Sequence, residues 1–187
     1  AFDSWVAFLE SFVERAHGDW VFGEERYTRL LRERESLRHD ARSLREMGRS
    51  EYDRLDREMR ELARQISGTD DWRQVLEEAN EDHPATEGEM RDTYAEWTAR
   101  ARDFLATTGL VSLPEGESCG VDPSPVFQRP VLGVAFYIAP PAFADTLRGT
   151  FFVPYAPDGA PPEEIQKRLA SNSNGSIPST TVHEAYP

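Results

Sequence analysis

Cysteine occurs once in these 187 residues, at Cys119. A single thiol excludes an intrachain disulfide and any metal site built on paired cysteines, and it suits a reducing compartment such as the cytoplasm. No stretch approaches the roughly 18 consecutive apolar residues of a membrane span. No leader with a basic start and an apolar centre is visible either. Positive charge is outweighed, with 21 Lys and Arg against 34 Asp and Glu for a net charge of −13. That balance speaks against a nucleic-acid or anionic-membrane surface, which needs clustered basic side chains.

What remains is ordinary for a globular domain: 39% hydrophobic and 29% charged residues, with length enough for a sizeable core. Apolar residues recur at helical spacing from about Ala1 to His17, where Phe2, Trp5, Val6, Leu9, Phe12 and Val13 form one wide stripe expected to be core. Gly18 and Asp19 mark a break. A second helix is expected over Gly23–Leu37, with Tyr27, Leu30 and Leu31 inward, and His39-Asp40-Ala41 suggests a pause. The third helix is the most regular. Tyr52, Leu55, Met59, Leu62 and Ile66 fall three and four apart, and Arg54 with Glu58 can pair along another face. The pattern suits an antiparallel helical hairpin or a coiled-coil dimer.

Ser67-Gly68-Thr69-Asp70 ends that helix, and Asp70 or Asp71 can cap a short one over Trp72–Asn80. Thr86-x-x-Glu89 resembles a capping box for a helix from Glu87 to about Thr107, and Gly109 is a natural stop. His17, His39 and His83 lie at helix ends or in loops, without metal-ligand spacing. They read as surface or capping residues.

Beyond Gly109 the chain turns rich in Val, Phe and Pro. Val131–Ile138 and Thr150–Val153 are the strongest strand candidates, joined by 139–149 as a hairpin or as two nearby strands. Flanking prolines argue for an edge position. Such an edge, in TFFVPY or VAFYIAP, either takes an extended substrate by backbone hydrogen bonds or is a structural hairpin over the helical core. A further helix opens at Pro161-Pro162 and runs to about Leu169, followed by the polar connection Ser171–Ser176.

The last twelve residues read SIPSTTVHEAYP. Pro178 suits the first turn of a helix, where its missing N–H would have no partner. That helix, expected to be buried, sets His183 and Glu184 side by side. A histidine followed by a glutamate is how zinc hydrolases begin: the imidazole binds the metal and the carboxylate takes a proton from water. The short form places a second histidine four residues after the first. Here that position is Pro187, so the short form is excluded.

The run SIPSTTVHEAYP resembles the active-site segment of a large bacterial family, domain of unknown function 885, in which His-Glu-Ala-x-Pro continues into Gly-His-His. GDWVFGEERYTRLLRE (Gly18–Glu33), FQRPVLGVAFYIAPPAF (Phe127–Phe143) and GTFFVPY (Gly149–Tyr155) stand in the order and approximate spacing of that family. The resemblance covers essentially the whole chain. It implies a zinc metallopeptidase with a mostly helical fold similar to the carboxypeptidase Taq group, acting on a peptide or related amide. His183 would then be a zinc ligand and Glu184 the base. The chain departs from the family in lacking the Gly-His-His and a later acidic ligand.

These readings lead to a mainly α fold with a small β element, an α+β arrangement forming one partial domain over 1–187. It comprises a helical region at 1–108, strands and loops at 109–160, and a helix with the start of the zinc-binding helix at 161–187. The chain is expected to be an internal piece of a longer polypeptide, inactive by itself, with the remainder of that polypeptide as its partner. Tyr137, Phe152 and Tyr155 are the expected substrate contacts, and a homo-oligomer is compatible with the apolar stripes. The alternative is a non-catalytic helical interaction or structural fragment.

Overall fold

The computed structural model describes residues 2–18 and 20–186. The start of the first expected helix at Ala1, the break expected at Asp19 and the motif position Pro187 lie outside the described residues. The described residues form seven helices and a three-stranded sheet, as an α+β fold requires. Two compact units divide within the third helix, residues 1–62 and 63–187.

The first unit is helical. α1 (Phe2–Val13) buries none of its residues. Its aromatics stack on one another instead, Trp5 on Phe8 at 5.3 Å and Phe8 on Phe12 at 5.8 Å between ring centroids. The stripe expected as core is therefore exposed: helical spacing aligns these side chains, but no element of the first unit covers them. α2 (Glu24–Glu33) starts after Gly23 and buries Leu31, whereas Tyr27 is exposed. α3 (Ala41–Ser67) is 27 residues long, about 40 Å at 1.5 Å per residue. Asp40 and Ser43 cap it reciprocally, with the Ser43 amide donating to Asp40 Oδ1 at 2.8 Å and the Asp40 amide to Ser43 Oγ at 3.1 Å. Hydrogen bonds from the Ser43 amide and then its hydroxyl hold the Asp40 carboxyl below its ordinary value. Arg54 bridges Glu51 and Glu58 at 2.8 and 2.6 Å. Tyr52, Leu55, Leu62 and Ile66 of the apolar stripe are exposed.

The second unit holds the sheet. α4 (Trp72–Asn80) has Asp71 as its N-cap, accepting from the Arg73 and Gln74 amides. α5 (Glu87–Thr108) is capped by Thr86, whose hydroxyl accepts from the Glu89 amide at 3.1 Å. The Glu89 carboxylate returns to the Ala85 amide at 2.9 Å, one residue earlier than a regular capping box. Gly109 ends the helix in the left-handed region, φ 63°, where a side chain would be strained.

β1 (Ser118–Pro123), β2 (Phe136–Ile138) and β3 (Arg148–Val153) pair in the order β1-β3-β2. β1 runs parallel to β3, pairing Cys119 with Gly149, and β2 runs antiparallel, pairing Tyr137 with Phe151. TFFVPY thus contributes the central strand, paired on both sides, while VAFYIAP contributes a short edge. The stretch expected as a strand from Val131 begins only at Phe136, because amide bonds from Val131 and Leu132 back to the Gln128 carbonyl hold 128–132 as turns. One sheet face packs on α5 through Phe151, Val153, Cys119 and Val121. Met90, Tyr94, Leu169 of α6 (Pro162–Ala170) and Ile177 of α7 (Ile177–Glu184) close the core. The Tyr94 and Phe151 rings meet edge to face at 5.2 Å, an arrangement the ring quadrupoles favour.

Candidate functional site

α7 begins at Ile177, so Pro178 is its second residue and its absent N–H costs nothing there. Ile177 and Thr181, four apart, are fully buried on the face turned to α5. His183, two residues past Thr181, falls on the opposite face. Its imidazole is 81% exposed, and Nε2 lies 3.8 Å from Glu184 Oε1, whose side chain is 25% exposed. The expectation of a buried helix therefore holds for half of it: the face carrying His183 is open.

Two hydrogen-bonded tethers flank this helix. Tyr94, fully buried, donates its hydroxyl to Asn172 Oδ1 at 2.7 Å, and the Asn172 amide group donates to the Arg168 carbonyl at 2.9 Å. Burial pushes the Tyr94 hydroxyl up to about 12, a hydrogen bond with Thr180 opposes that, and the negative charge of Glu184 adds to it. Glu184 is thus electrostatically coupled to the core tyrosine. Ser171–Ser176, expected as a plain polar connection, is a packed joint. Asn172 and Ser173 are buried in it, and Asn174 bonds Asp82 through both its backbone and side-chain amides at 2.8 Å.

The second tether lies just past α7. Tyr186 donates to Glu117 Oε2 at 2.6 Å, and Arg102 Nε donates to Glu117 Oε1 at 2.7 Å. Glu117 is only 11% exposed, so its carboxylate is shielded and doubly bonded. Burial, then the Glu117 carboxylate, raises the Tyr186 hydroxyl well above its ordinary value. Sequence reasoning did not reach these bonds, whose partners lie 15 to 78 residues apart along the chain.

The expected substrate contacts are separated. Tyr137 lies over Gly149, leaving no room for a Cβ there, and burial raises its hydroxyl. Phe152 points from the opposite sheet face and meets Phe136 at 5.1 Å. Tyr155 follows the strand, half-buried, with the Arg129 guanidinium 5.6 Å from its ring. None of the three makes a hydrogen bond, ion pair or ring contact with His183 or Glu184 among the described residues. What does adjoin α7 is an open apolar groove of about 680 Å³ along the C-terminal half of α5, to which Val182 and Tyr186 contribute. Among the described residues no three His, Cys, Asp or Glu side chains come together so as to hold a metal ion.

A family model described as "Bacterial protein of unknown function (DUF885)" matches residues 1–187. No curated protein matches the chain. Among solved structures, the chain is similar to a protein described as a candidate lipoprotein of unknown function from Shewanella oneidensis, with a TM-score of 0.71 and 17% identity. The match covers 98% of this chain and 34% of that one, so the chain spans about a third of its length. At that identity the likeness concerns the fold alone.

Proposed function

The chain belongs to DUF885, a bacterial family of unknown function, and from that premise we propose that it carries part of the active site of a zinc-dependent peptidase. The observation that supports this reading is the state of His183. It stands exposed beside a carboxylate 3.8 Å away, on a helix whose flanking residues Asn172 and Tyr186 are bonded to Tyr94 and Glu117. An imidazole spent on structure would be buried or bonded; this one is free to ligate.

His183 would supply one zinc ligand, and Glu184 would accept a proton from water. The metal, when bound, lowers the pKa of such a water to about 7. A zinc site takes at least three protein ligands, and these residues alone do not meet that requirement. The remaining ligands are therefore proposed to come from polypeptide outside these 187 residues, and no catalytic step is assigned to the chain by itself. Peptides or related amides are the proposed substrates. A second reading, a helical interaction module, is favoured by the apolar faces of α1 and α3, which stay exposed.

The test is metal analysis of the protein expressed from its natural gene, alongside His183→Ala and Glu184→Gln. About one zinc per chain is expected, lost in His183→Ala and kept in Glu184→Gln, with peptide hydrolysis lost in both. Zinc retained in His183→Ala, or no zinc in the wild type, refutes the reading. Because the His183 side chain is exposed, its replacement should leave circular dichroism, and the melting temperature of the metal-free protein, unchanged.

A further inference from the structure

Trp97, Ala101 and Leu105 fall four apart along α5, and Phe104 lies beside them, so the four share one stripe of the helix. With Leu110, Val111 and Val182 they wall the apolar groove of about 680 Å³ beside α7. Phe104 is 58% exposed and Leu110 68%, and Val111 and Val182 are each half-exposed. A contiguous apolar surface of this kind marks a contact with another element rather than with water. α5 and α7 pack on each other, and the furrow between two packed helices is a seat for a third. Two observations identify what seats there. The solved structure that shares this fold over 98% of the chain is matched over only 34% of its own length, so about two-thirds of that protein is polypeptide beyond the shared fold. The second is Tyr186, which is buried, lines the groove and is bonded to Glu117. Polypeptide that continues past Tyr186 therefore starts at the groove's own wall. A segment tethered this closely is presented at an effective concentration of about millimolar, which a diffusing partner does not match.

We propose that the groove is the seat of the polypeptide that follows residue 187 in the full-length protein, laid in as a helix with one apolar face. Apolar residues three and four apart on that helix would meet Phe104, Leu110, Val111 and Val182. From Trp97 to Leu105 the stripe is about 12 Å long at 1.5 Å per residue, so about two helical turns would cover it. Val182 immediately precedes His183, so the seated segment lies against the same turn of helix that carries the His-Glu pair. Like the peptidase reading, the proposal needs a longer polypeptide. It needs no metal, and its readout is the same whether or not zinc is bound.

The test uses the protein expressed from its natural gene, with the photo-reactive residue p-benzoylphenylalanine in place of Phe104. Irradiation, digestion and mass spectrometry should join position 104 to a peptide from beyond residue 187 of the same chain, in a product that runs as a monomer. A cross-link to a second copy, to another protein, to a peptide that precedes residue 1 or only within residues 1–187 overturns the proposal. So does no cross-link at all, or a gene that ends at residue 187. Leu110→Cys supplies a second variant that does not depend on the first, at a position whose side chain is exposed. Its alkylation is followed peptide by peptide, so that Cys119 is counted separately. In the native full-length protein that alkylation should run at least about tenfold slower than in urea, as a covered site requires. A native rate within about twofold of the rate in urea means that nothing covers the groove, and overturns the proposal.

Discussion

Tyr94→Phe removes one oxygen from the centre of the second unit and leaves the ring in place. The edge-to-face contact with Phe151 at 5.2 Å should survive, so the cost falls on the hydrogen bond. Asn172 Oδ1, buried and accepting from Tyr94 at 2.7 Å, loses that donor. An orphaned buried acceptor costs about 1–3 kcal/mol. Asn172→Ala removes the same bond from the other side, so the double variant should be less destabilised than the sum, by about 1 kcal/mol. The pH dependence supplies an independent check. The Tyr94 hydroxyl is raised from 10.0 to about 12 in the folded chain, so the unfolded chain loses this proton first. Its contribution is intact below pH 10 and is lost as pH rises through the folded value. By pH 11 the loss is about 1.4 kcal/mol. Urea unfolding followed by near-ultraviolet circular dichroism, at pH 8 and again at pH 11, measures both effects. The wild type's advantage over Tyr94→Phe should shrink between the two pH values, and an unchanged gap, or a neutral substitution at pH 8 with no coupling to Asn172, would refute the reasoning.

Phe151→Ala deletes a fully buried ring from the central strand and should cost about 3–5 kcal/mol in the same unfolding assay; a loss under 1 kcal/mol would mean the sheet does not pack on α5. Gly149→Ala places a methyl where the Tyr137 ring lies, so Tyr137 must swing out. Its ring resonances should lose the shift they take from the sheet while those of Tyr94 do not move. Glu117→Gln keeps the shape but removes the charge that Arg102 and Tyr186 share. A cost of about 1–3 kcal/mol is expected, together with a lower Tyr186 titration by ultraviolet absorbance.

The helices were legible where a cap and a stop bracketed them. α4 runs over Trp72–Asn80 as read, because the Asp71 side chain satisfies its first amides. α5 starts at Thr86 and stops at Gly109 for equally local reasons. β1 was not singled out: SCGVDP has a single β-branched residue and both Gly and Pro, so its strandedness comes from pairing with β3 rather than from propensity. The exposure of α1 and α3 ran the other way, since periodicity says which side chains share a face and not whether anything covers it. His183 and Glu184 were visible as a pair in sequence. The tethers that hold them were not, because Tyr94–Asn172 and Glu117–Tyr186 join residues with no periodic relation.

The strand order has a consequence for synthesis. β3 is the last strand in the chain yet the one to which both others bond. From Pro123, where β1 ends, to Arg148, where β3 begins, a ribosome needs about one to five seconds at ordinary elongation rates. Throughout that interval β1, joined part-way by β2, has no strand to pair with, and α5 has no sheet to cover. The unit therefore closes all at once and late, when β3 slots between its neighbours, and α7 with its His-Glu pair is positioned only after that event.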